Sequence, residues 1–177
     1  MKKPTGYVIY EGVSQLDGVS PIVGIITMKS ANVKTGNMAQ LWILRSDIHP
    51  IDAKKASLDD AICGQCQFRQ SLGGACYVNL GHAPSAVYRT YSKGGYPVAE
   101  SLNIFVGMKV RFGAYGDVAA IPLDIMTKLK SVVKNNTSYT HQWKGGKHDG
   151  LQQLSMASVD NLAEAELAKD NGWRWFR

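Results

Sequence analysis

Three cysteines that lie close together in the sequence are the residues best suited to chemistry. Cys63 and Cys66 form a C-x2-C pair, and Cys76 follows after nine further residues in a glycine-rich segment. A two-residue gap lets two thiolates turn toward one ion, and glycine supplies the backbone freedom for that turn. Because the chain has no other cysteine, this segment predicts a metal site at Cys63, Cys66 and Cys76. An odd number of cysteines also argues against a disulfide framework.

The spacing leaves three kinds of thiol site open. An iron–sulfur cluster held by three thiolates would keep one iron free for a ligand. A zinc site would need a fourth ligand, for which His82 and His49 are the candidates. A redox-active C-x-x-C pair is the third interpretation, and cysteines with no chemical role are the ordinary alternative. Arg69 follows the pair and is interpreted as a solvated surface residue.

A second group of candidates stands at the end of a predicted strand. The segment 111–117 reads Arg-Phe-Gly-Ala-Tyr-Gly-Asp, so two glycines and a carboxylate follow the apolar part of the strand. In parallel α/β sheets, ligands bind outside the carboxyl ends of the strands. We therefore predict that Gly113, Gly116 and Asp117 contact a cofactor or ligand. Asp117 would contact an amino or hydroxyl group of that ligand. A plain Gly-Asp turn is the alternative.

Polar side chains also fill the next predicted strand, 137–143, which reads Thr-Ser-Tyr-Thr-His-Gln-Trp. So many hydrogen-bonding groups suit the lining of a polar pocket better than a core. His141 and Tyr139, together with Asp117, are therefore the candidate catalytic residues. The alternative for His141 is a buried histidine whose hydrogen bonds are satisfied within the fold.

Alternating elements must position these residues. Apolar periodicity predicts strands over 7–10, 21–28, 41–44, 108–112, 137–143, 154–159 and 173–176, and helices beginning at Ala83, Val98, Pro122 and Asn161. Pro50 is interpreted as closing the segment after the third strand. Helices between strands imply parallel pairing through right-handed crossovers. The predicted fold is α/β, a partial (β/α) barrel-like, largely parallel sheet with a more β-rich N-terminal flank.

Length and composition fit a single domain over residues 1–177. The chain is 45% apolar, which is enough for a sizeable core. No stretch of about 18 apolar residues occurs, so neither a membrane span nor a membrane partner is expected. The N-terminal sequence predicts no secretory signal, and reduced cysteines fit a cytoplasmic location.

The net charge of +6 permits an anionic partner. Several lysines cluster on and after the predicted helix at Pro122, namely Lys128, Lys130, Lys134, Lys144 and Lys147. No helix-turn-helix, RNA-recognition or zinc-finger pattern accompanies them. We interpret this face as solvated, while nucleic acid stays among the candidate partners.

Taken together, the segments resemble a group of phage and plasmid proteins of unassigned function. The resemblance rests on the three cysteines with Tyr-Val-Asn at 77–79, the segments 111–117 and 139–143, and the closing residues 158–160 and 172–174. It covers roughly the stretch from Lys34 to the C-terminus. It implies a bacteriophage protein that works in the host cytoplasm.

The layout also resembles a shortened radical-SAM barrel. In that superfamily, a cysteine loop after the first barrel strand binds an iron–sulfur cluster, and a glycine-rich strand end holds the amino group of S-adenosylmethionine. The resemblance implies that strand 41–44 precedes the cluster loop, and that Gly113, Gly116 and Asp117 contact S-adenosylmethionine. The superfamily usually spaces its cysteines C-x3-C-x2-C, whereas this chain has C-x2-C-x9-C.

Two functions are therefore expected from different classes. The first is a small metal-binding protein, iron–sulfur or zinc, with a polar pocket for a small molecule at the strand tips. If that protein is an enzyme, radical-SAM-like chemistry is the specific expectation. The second is a non-enzymatic phage module, stabilised by zinc, that binds nucleic acid or a host protein as a defence inhibitor.

Overall fold

The computed structural model describes residues 3–30, 35–145 and 150–177, so Lys147 of the predicted basic face lies outside the described residues. Seven strands form one sheet, and their spatial order follows their order in the chain. The strands are β1 (Gly6–Val13), β2 (Pro21–Thr27), β3 (Ala39–Arg45), β4 (Lys109–Tyr115), β5 (Asn135–Thr140), β6 (Met156–Ser158) and β7 (Trp175–Phe176). Each of them corresponds to a predicted strand.

Strand pairing changes from antiparallel to parallel along the sheet. β1 pairs with β2, and β2 with β3, in antiparallel fashion. The pairs β3–β4, β4–β5, β5–β6 and β6–β7 are all parallel. Parallel neighbours need a crossover connection, which is usually a helix. The prediction of a largely parallel α/β sheet with a β-rich N-terminal part is confirmed.

Five α-helices lie within the described residues: α1 (Pro50–Lys55), α2 (Asp60–Cys63), α3 (Ala83–Tyr91), α4 (Leu123–Val132) and α5 (Leu162–Asp170). The predicted helices at Ala83, Pro122 and Asn161 correspond to α3, α4 and α5. The first three helices lie between β3 and β4, α4 lies between β4 and β5, and α5 lies between β6 and β7. Short 3-10 turns cover Gln70–Leu72, Leu102–Phe105, Val118–Ala120 and Leu151–Gln153.

Two local predictions are wrong. The segment 98–104 is not a helix, because Val98 forms a parallel bridge with Val8 and only Leu102–Phe105 makes a 3-10 turn. Pro50 does not close a segment but begins α1, where its missing N–H costs nothing. The Nδ1 atom of His49 caps that helix by accepting a hydrogen bond from the backbone N–H of Ile51 at 3.4 Å.

The core is made by the central strands and by the inner face of α4. Apolar residues on both faces of β2 and β3 are buried, as expected for strands covered on both sides. Met126 and Leu129 of α4 and Phe112 of β4 are also buried in this cluster. These contacts pack the sheet beneath the loops that follow its strands.

The last helix begins at the predicted N-cap. The Oδ1 atom of Asn161 accepts a hydrogen bond from the backbone N–H of Glu164 at 2.9 Å. The Glu164 carboxylate accepts in turn from the backbone N–H of Asp160 at 3.1 Å. These two bonds satisfy backbone donors that have no partner within the helix.

Replacing Asn161 with alanine should lower the free energy of unfolding by about 1 kcal/mol, since the cap hydrogen bond is lost. Urea denaturation followed by circular dichroism measures the change. Glu166→Ala, on the same helix and exposed, is the matched control and should change the value by less than about 0.5 kcal/mol. Equal effects for both variants would contradict the capping role.

None of the helices in the described part of the chain has the length and apolar character needed to cross a bilayer.

Candidate functional site

A cavity of about 350 Å³ lies at the carboxyl ends of the last four strands. The cysteine loop covers it from one side. The lining residues are Cys63, Cys66, Cys76, Tyr77, Val78, Gly113, Ala114, Tyr115, Gly116, Asp117, Tyr139, His141, Ser158 and Phe176. This set contains every predicted site residue except His82 and the alternative zinc ligand His49. Elements far apart in the sequence thus bring the cysteines, the glycine-rich strand end and the polar strand together.

The first two cysteines are anchored through Gln142, which follows β5. The Gln142 side-chain amide donates to the carbonyl of Cys63 at 3.0 Å and accepts from the backbone N–H of Gln65 at 3.3 Å. The Cys66 N–H donates to the Cys63 carbonyl at 3.2 Å, so a tight turn joins the pair. The C-x2-C turn is therefore held over the end of β5.

The third cysteine is brought back toward this turn by backbone hydrogen bonds. The Cys76 N–H donates to the carbonyl of Phe68 at 2.9 Å, and the Gly74 N–H donates to that of Arg69 at 2.9 Å. The Gln70 amide donates to the carbonyls of Cys76 at 3.2 Å and Val78 at 2.6 Å. The loop is thus a compact, internally bonded structure, and all three thiols line the same cavity.

Gly64 is required by this arrangement for two reasons. Its φ of +53° lies in the region that disfavours other residues, and an added Cβ would lie 2.5 Å from the Gln142 Oε1 atom. Gly64→Ala should therefore lower the free energy of unfolding by about 2 kcal/mol or more.

Gly73 is the matched control for Gly64, because its φ is +75° but nothing lies within 4 Å of an added Cβ. Gly73→Ala should add only the strain of a left-handed backbone conformation, about 1 kcal/mol. Chemical denaturation of both variants measures the difference. If the two costs were equal, Gln142 would not be pressed against the C-x2-C turn.

Asp117 is the most heavily bonded side chain at the strand tips. Its carboxylate accepts from the backbone N–H of Ala119 at 3.0 Å, from that of His141 at 3.1 Å and from the Thr140 hydroxyl at 2.9 Å to each oxygen. The Asp117 N–H donates to the Ile62 carbonyl at 2.6 Å. Asp117 therefore ties together β4, β5 and the helix that ends at the first cysteine.

Burial and mutual repulsion shape the electrostatics of the cavity. Burial raises the pKa of Cys63 well above its ordinary value, and the neighbouring groups Asp59, Cys66, Asp117 and Cys76 raise it further. Burial likewise raises the pKa of Cys66 and of Asp117. Without a cation, the first two thiols are therefore protonated at neutral pH. A bound cation would reverse this balance, since it favours the thiolate.

Thiol alkylation tests these electrostatics in metal-free protein. Iodoacetamide reacts with the thiolate, so Cys63 should be modified more slowly than N-acetylcysteine at pH 8. Its rate should still be rising above about pH 9, near the ordinary thiol pKa. Peptide mass mapping of protein quenched across this pH range follows Cys63. A Cys63 rate that levels off below pH 8 would contradict the raised pKa.

The histidine and aromatic residues complete the cavity wall. Burial lowers the pKa of His141, and its Nε2 atom is buried without a hydrogen-bond partner among the described residues. The Phe68 ring packs edge-on against it at 5.7 Å between centroids. Tyr139 packs against Phe176 at 4.6 Å. Within the described part of the chain, His141 is therefore not a core histidine whose hydrogen bonds are fully satisfied.

The other predicted ligands lie elsewhere. His82 lines a neighbouring cavity, and His49 caps α1 and packs against Tyr88 at 5.4 Å between rings. The interpretation of Arg69 as solvated is wrong, since its side chain is 15% exposed and pairs with the buried Asp59 at 3.2 Å. That ion pair braces the cysteine loop.

The sequence did not indicate Gln142, Tyr77 or Phe176 individually. The only available signal for Tyr77 is its position next to Cys76, and for Gln142 its place in the polar segment 137–143. Their roles depend on contacts across 34 to 79 positions of the chain.

Within residues 3–30, 35–145 and 150–177, no three His, Cys, Asp or Glu side chains already stand in an arrangement that would hold a metal ion. The thiols share a cavity without converging on one point. Comparison with protein-family models, with curated proteins and with solved structures finds no match to this chain.

Proposed function

We propose that Cys63, Cys66 and Cys76 hold an iron–sulfur cluster whose open iron faces a small-molecule pocket at the strand tips. One observation carries the proposal: all three cysteines line the same cavity as Asp117, Tyr139 and His141. Thiolates are the ligands that iron–sulfur clusters use, and three of them leave one iron free. Neither His82 nor His49 lines this cavity, which favours a cluster over a zinc site completed by either histidine.

The residues fit such a group in their chemistry, but they would have to rearrange to hold it. Burial raises the pKa of Cys63, and negative charge on Asp59, Cys66, Asp117 and Cys76 would raise it further, so a cationic centre would favour the thiolate. Binding would require the thiol side chains to rotate toward a common point, because they do not converge without the metal. The glycine-rich loop allows that change.

The chain's own residues would then position a ligand beside the cluster. Such a cluster can transfer one electron to a ligand bound at its open iron. Asp117, already bonded to three donors, fixes the strand tips and holds the backbone of His141 in place. The Nε2 atom of His141, which has no hydrogen-bond partner among the described residues, can accept or donate a hydrogen bond, and the Tyr139 ring forms an apolar wall with Phe176.

We also infer a partial (β/α) barrel, in which sequential strand order and repeated parallel crossovers gather the carboxyl ends of the strands around one site. S-adenosylmethionine is the ligand that the resemblance favours. The region proposed to contact S-adenosylmethionine contains Gly113 and Gly116. The turn itself already leaves no room for a side chain at either position. An added Cβ would lie 2.7 Å from the Gly116 carbonyl oxygen in the first case and 2.7 Å from the Ile43 side chain in the second.

Electron paramagnetic resonance of protein purified without oxygen and reduced with dithionite tests the proposal. A reduced iron–sulfur signal that changes shape on addition of S-adenosylmethionine is the expected result. Methionine serves as the control for its amino acid portion. A colourless protein that contains one zinc per chain and gives no signal would contradict the proposal and favour the zinc-stabilised phage module.

A further inference from the structure

A second cavity, of about 410 Å³, lies beside the cysteine-lined one. It is bounded by β2, β3 and β4, by α3 and by the end of the cysteine loop. Tyr77, Val78 and Ala114 line both cavities, so the two are neighbours. Its size falls within the range of small-molecule sites.

The sheet face beneath this cavity is polar where a core face would be apolar. Thr27 lies opposite Gln40 in the β2–β3 register, and Gln40 lies opposite Arg111 in the β3–β4 register. All three side chains line the cavity. The next residues along two of these strands, Leu41 and Phe112, point to the other face and are buried in the core. Core packing therefore does not account for this row of polar residues.

The cavity carries positive charge that the described residues do not neutralise. Lys29 and Arg111 line it, whereas no Asp or Glu of the described residues does. In the same part of the chain, neither cation forms an ion pair with a carboxylate. The half-buried Arg111 guanidinium donates to the Tyr77 hydroxyl and stands 5.9 Å from the centre of that ring. An uncompensated arginine inside a cavity is suited to bind phosphate or carboxylate.

Aromatic rings line the same space. Trp42, Tyr77 and Tyr96 all contribute to its wall. The indole N–H of Trp42 donates to the Thr27 hydroxyl at 2.9 Å, which fixes the ring plane. Flat aromatic faces next to a guanidinium are the surroundings in which proteins stack nucleobases and bind their phosphates.

We propose that this second cavity binds a nucleoside 5′-phosphate, with the phosphate against Arg111 and Lys29 and the base against the aromatic wall. The proposal does not depend on a metal in the neighbouring cavity. The same chemistry is presented by a free nucleotide and by the 5′-phosphorylated end of a nucleic-acid strand. Gln40 and Asn79 also line the cavity. The Gln40 NH2 group donates to Thr35 and Met38 and the Asn79 Oδ1 atom accepts from Gly81, so the Gln40 Oε1 and the Asn79 NH2 group are the hydrogen-bonding groups proposed for a base edge.

Isothermal titration calorimetry of the full chain with AMP, GMP, CMP and UMP tests this site. At least one nucleotide should bind with a Kd below about 1 mM. Arg111→Gln should weaken that binding about tenfold or more, because a charge-assisted hydrogen bond to phosphate is lost. Lys128→Gln removes one positive charge from an exposed residue of α4 that pairs with Asp124, and should leave the Kd unchanged.

Additional measurements distinguish a free nucleotide from a 5′-phosphorylated strand end and provide a second variant. Tighter binding of a 5′-phosphorylated trinucleotide than of the mononucleotide would indicate a strand end, and equal binding a free nucleotide. Should Arg111→Gln fail to fold, Lys29→Gln, at an exposed residue, should weaken binding and reduce its salt dependence. The proposal is overturned if no nucleotide binds, if inorganic phosphate binds as tightly as the nucleotide, or if a folded Arg111→Gln protein binds as wild type does.

Discussion

Cys76→Ala is expected to reduce the iron content of anaerobically purified protein to less than about a tenth of the wild-type value. Loss of a residue that only supports a metal ligand already costs 10- to 100-fold in affinity, so loss of a ligand should cost at least as much. Cys76 is the best position for the test, because it is not among the apolar residues packed on the core, whereas Cys63 is. Inductively coupled plasma mass spectrometry measures the iron.

Two comparisons make the Cys76 result specific. In metal-free protein, Cys76→Ala should unfold at nearly the wild-type temperature, while the extra stability that bound metal confers on wild type should be lost. His82→Ala should retain its iron, since His82 lines the other cavity. Iron unchanged by Cys76→Ala would contradict the proposed ligand set, and iron lost in His82→Ala would restore that histidine as a ligand.

Asp117→Ala is expected to lower the free energy of unfolding by about 3 kcal/mol. The substitution leaves the backbone N–H groups of Ala119 and His141 and the Thr140 hydroxyl without their acceptor. Each unsatisfied buried donor costs about 1–3 kcal/mol. Part of that sum is offset because the variant no longer buries a carboxylate. Chemical denaturation at pH 7 measures the loss.

Asp117→Asn is the informative companion to the alanine variant. Its amide oxygen can still accept from Ala119 or Thr140, but its NH2 group cannot accept from the His141 N–H, so an intermediate loss is expected. Asp124→Ala, exposed and paired among the described residues with Lys128, should change stability by less than about 0.5 kcal/mol. A loss for Asp117→Ala no larger than that of Asp124→Ala would show that the network does not hold the strand tips.

Elements with a strong local signal could be predicted from the sequence. The apolar strands and the helices at Ala83, Pro122 and Asn161 have clear periodicity and clear start residues, and they lie where the pattern indicates. The segment 98–104 failed because its extended backbone is fixed by hydrogen bonds to Val8, a residue far away in sequence. Tertiary pairing of this kind outweighs local preference.

Part of the membership of the candidate site was predictable, but its internal bonding was not. Residue type and position at strand ends sufficed to select the three cysteines, Asp117, Tyr139 and His141. No local pattern indicates that Gln142 would hold the C-x2-C turn, or that Arg69 would be withdrawn from solvent to pair with Asp59. Such contacts depend on how loops fold over the sheet, which periodicity does not encode.

The decisive measurement is the iron and acid-labile sulfide content of the full chain, purified and reconstituted without oxygen. A cubane cluster held by Cys63, Cys66 and Cys76 would give equal amounts of the two, about four of each per chain. The variant in which all three cysteines are replaced by alanine should bind neither above background. Wild-type protein with no more iron and sulfide than that variant would contradict the assignment of this cavity as an iron–sulfur site.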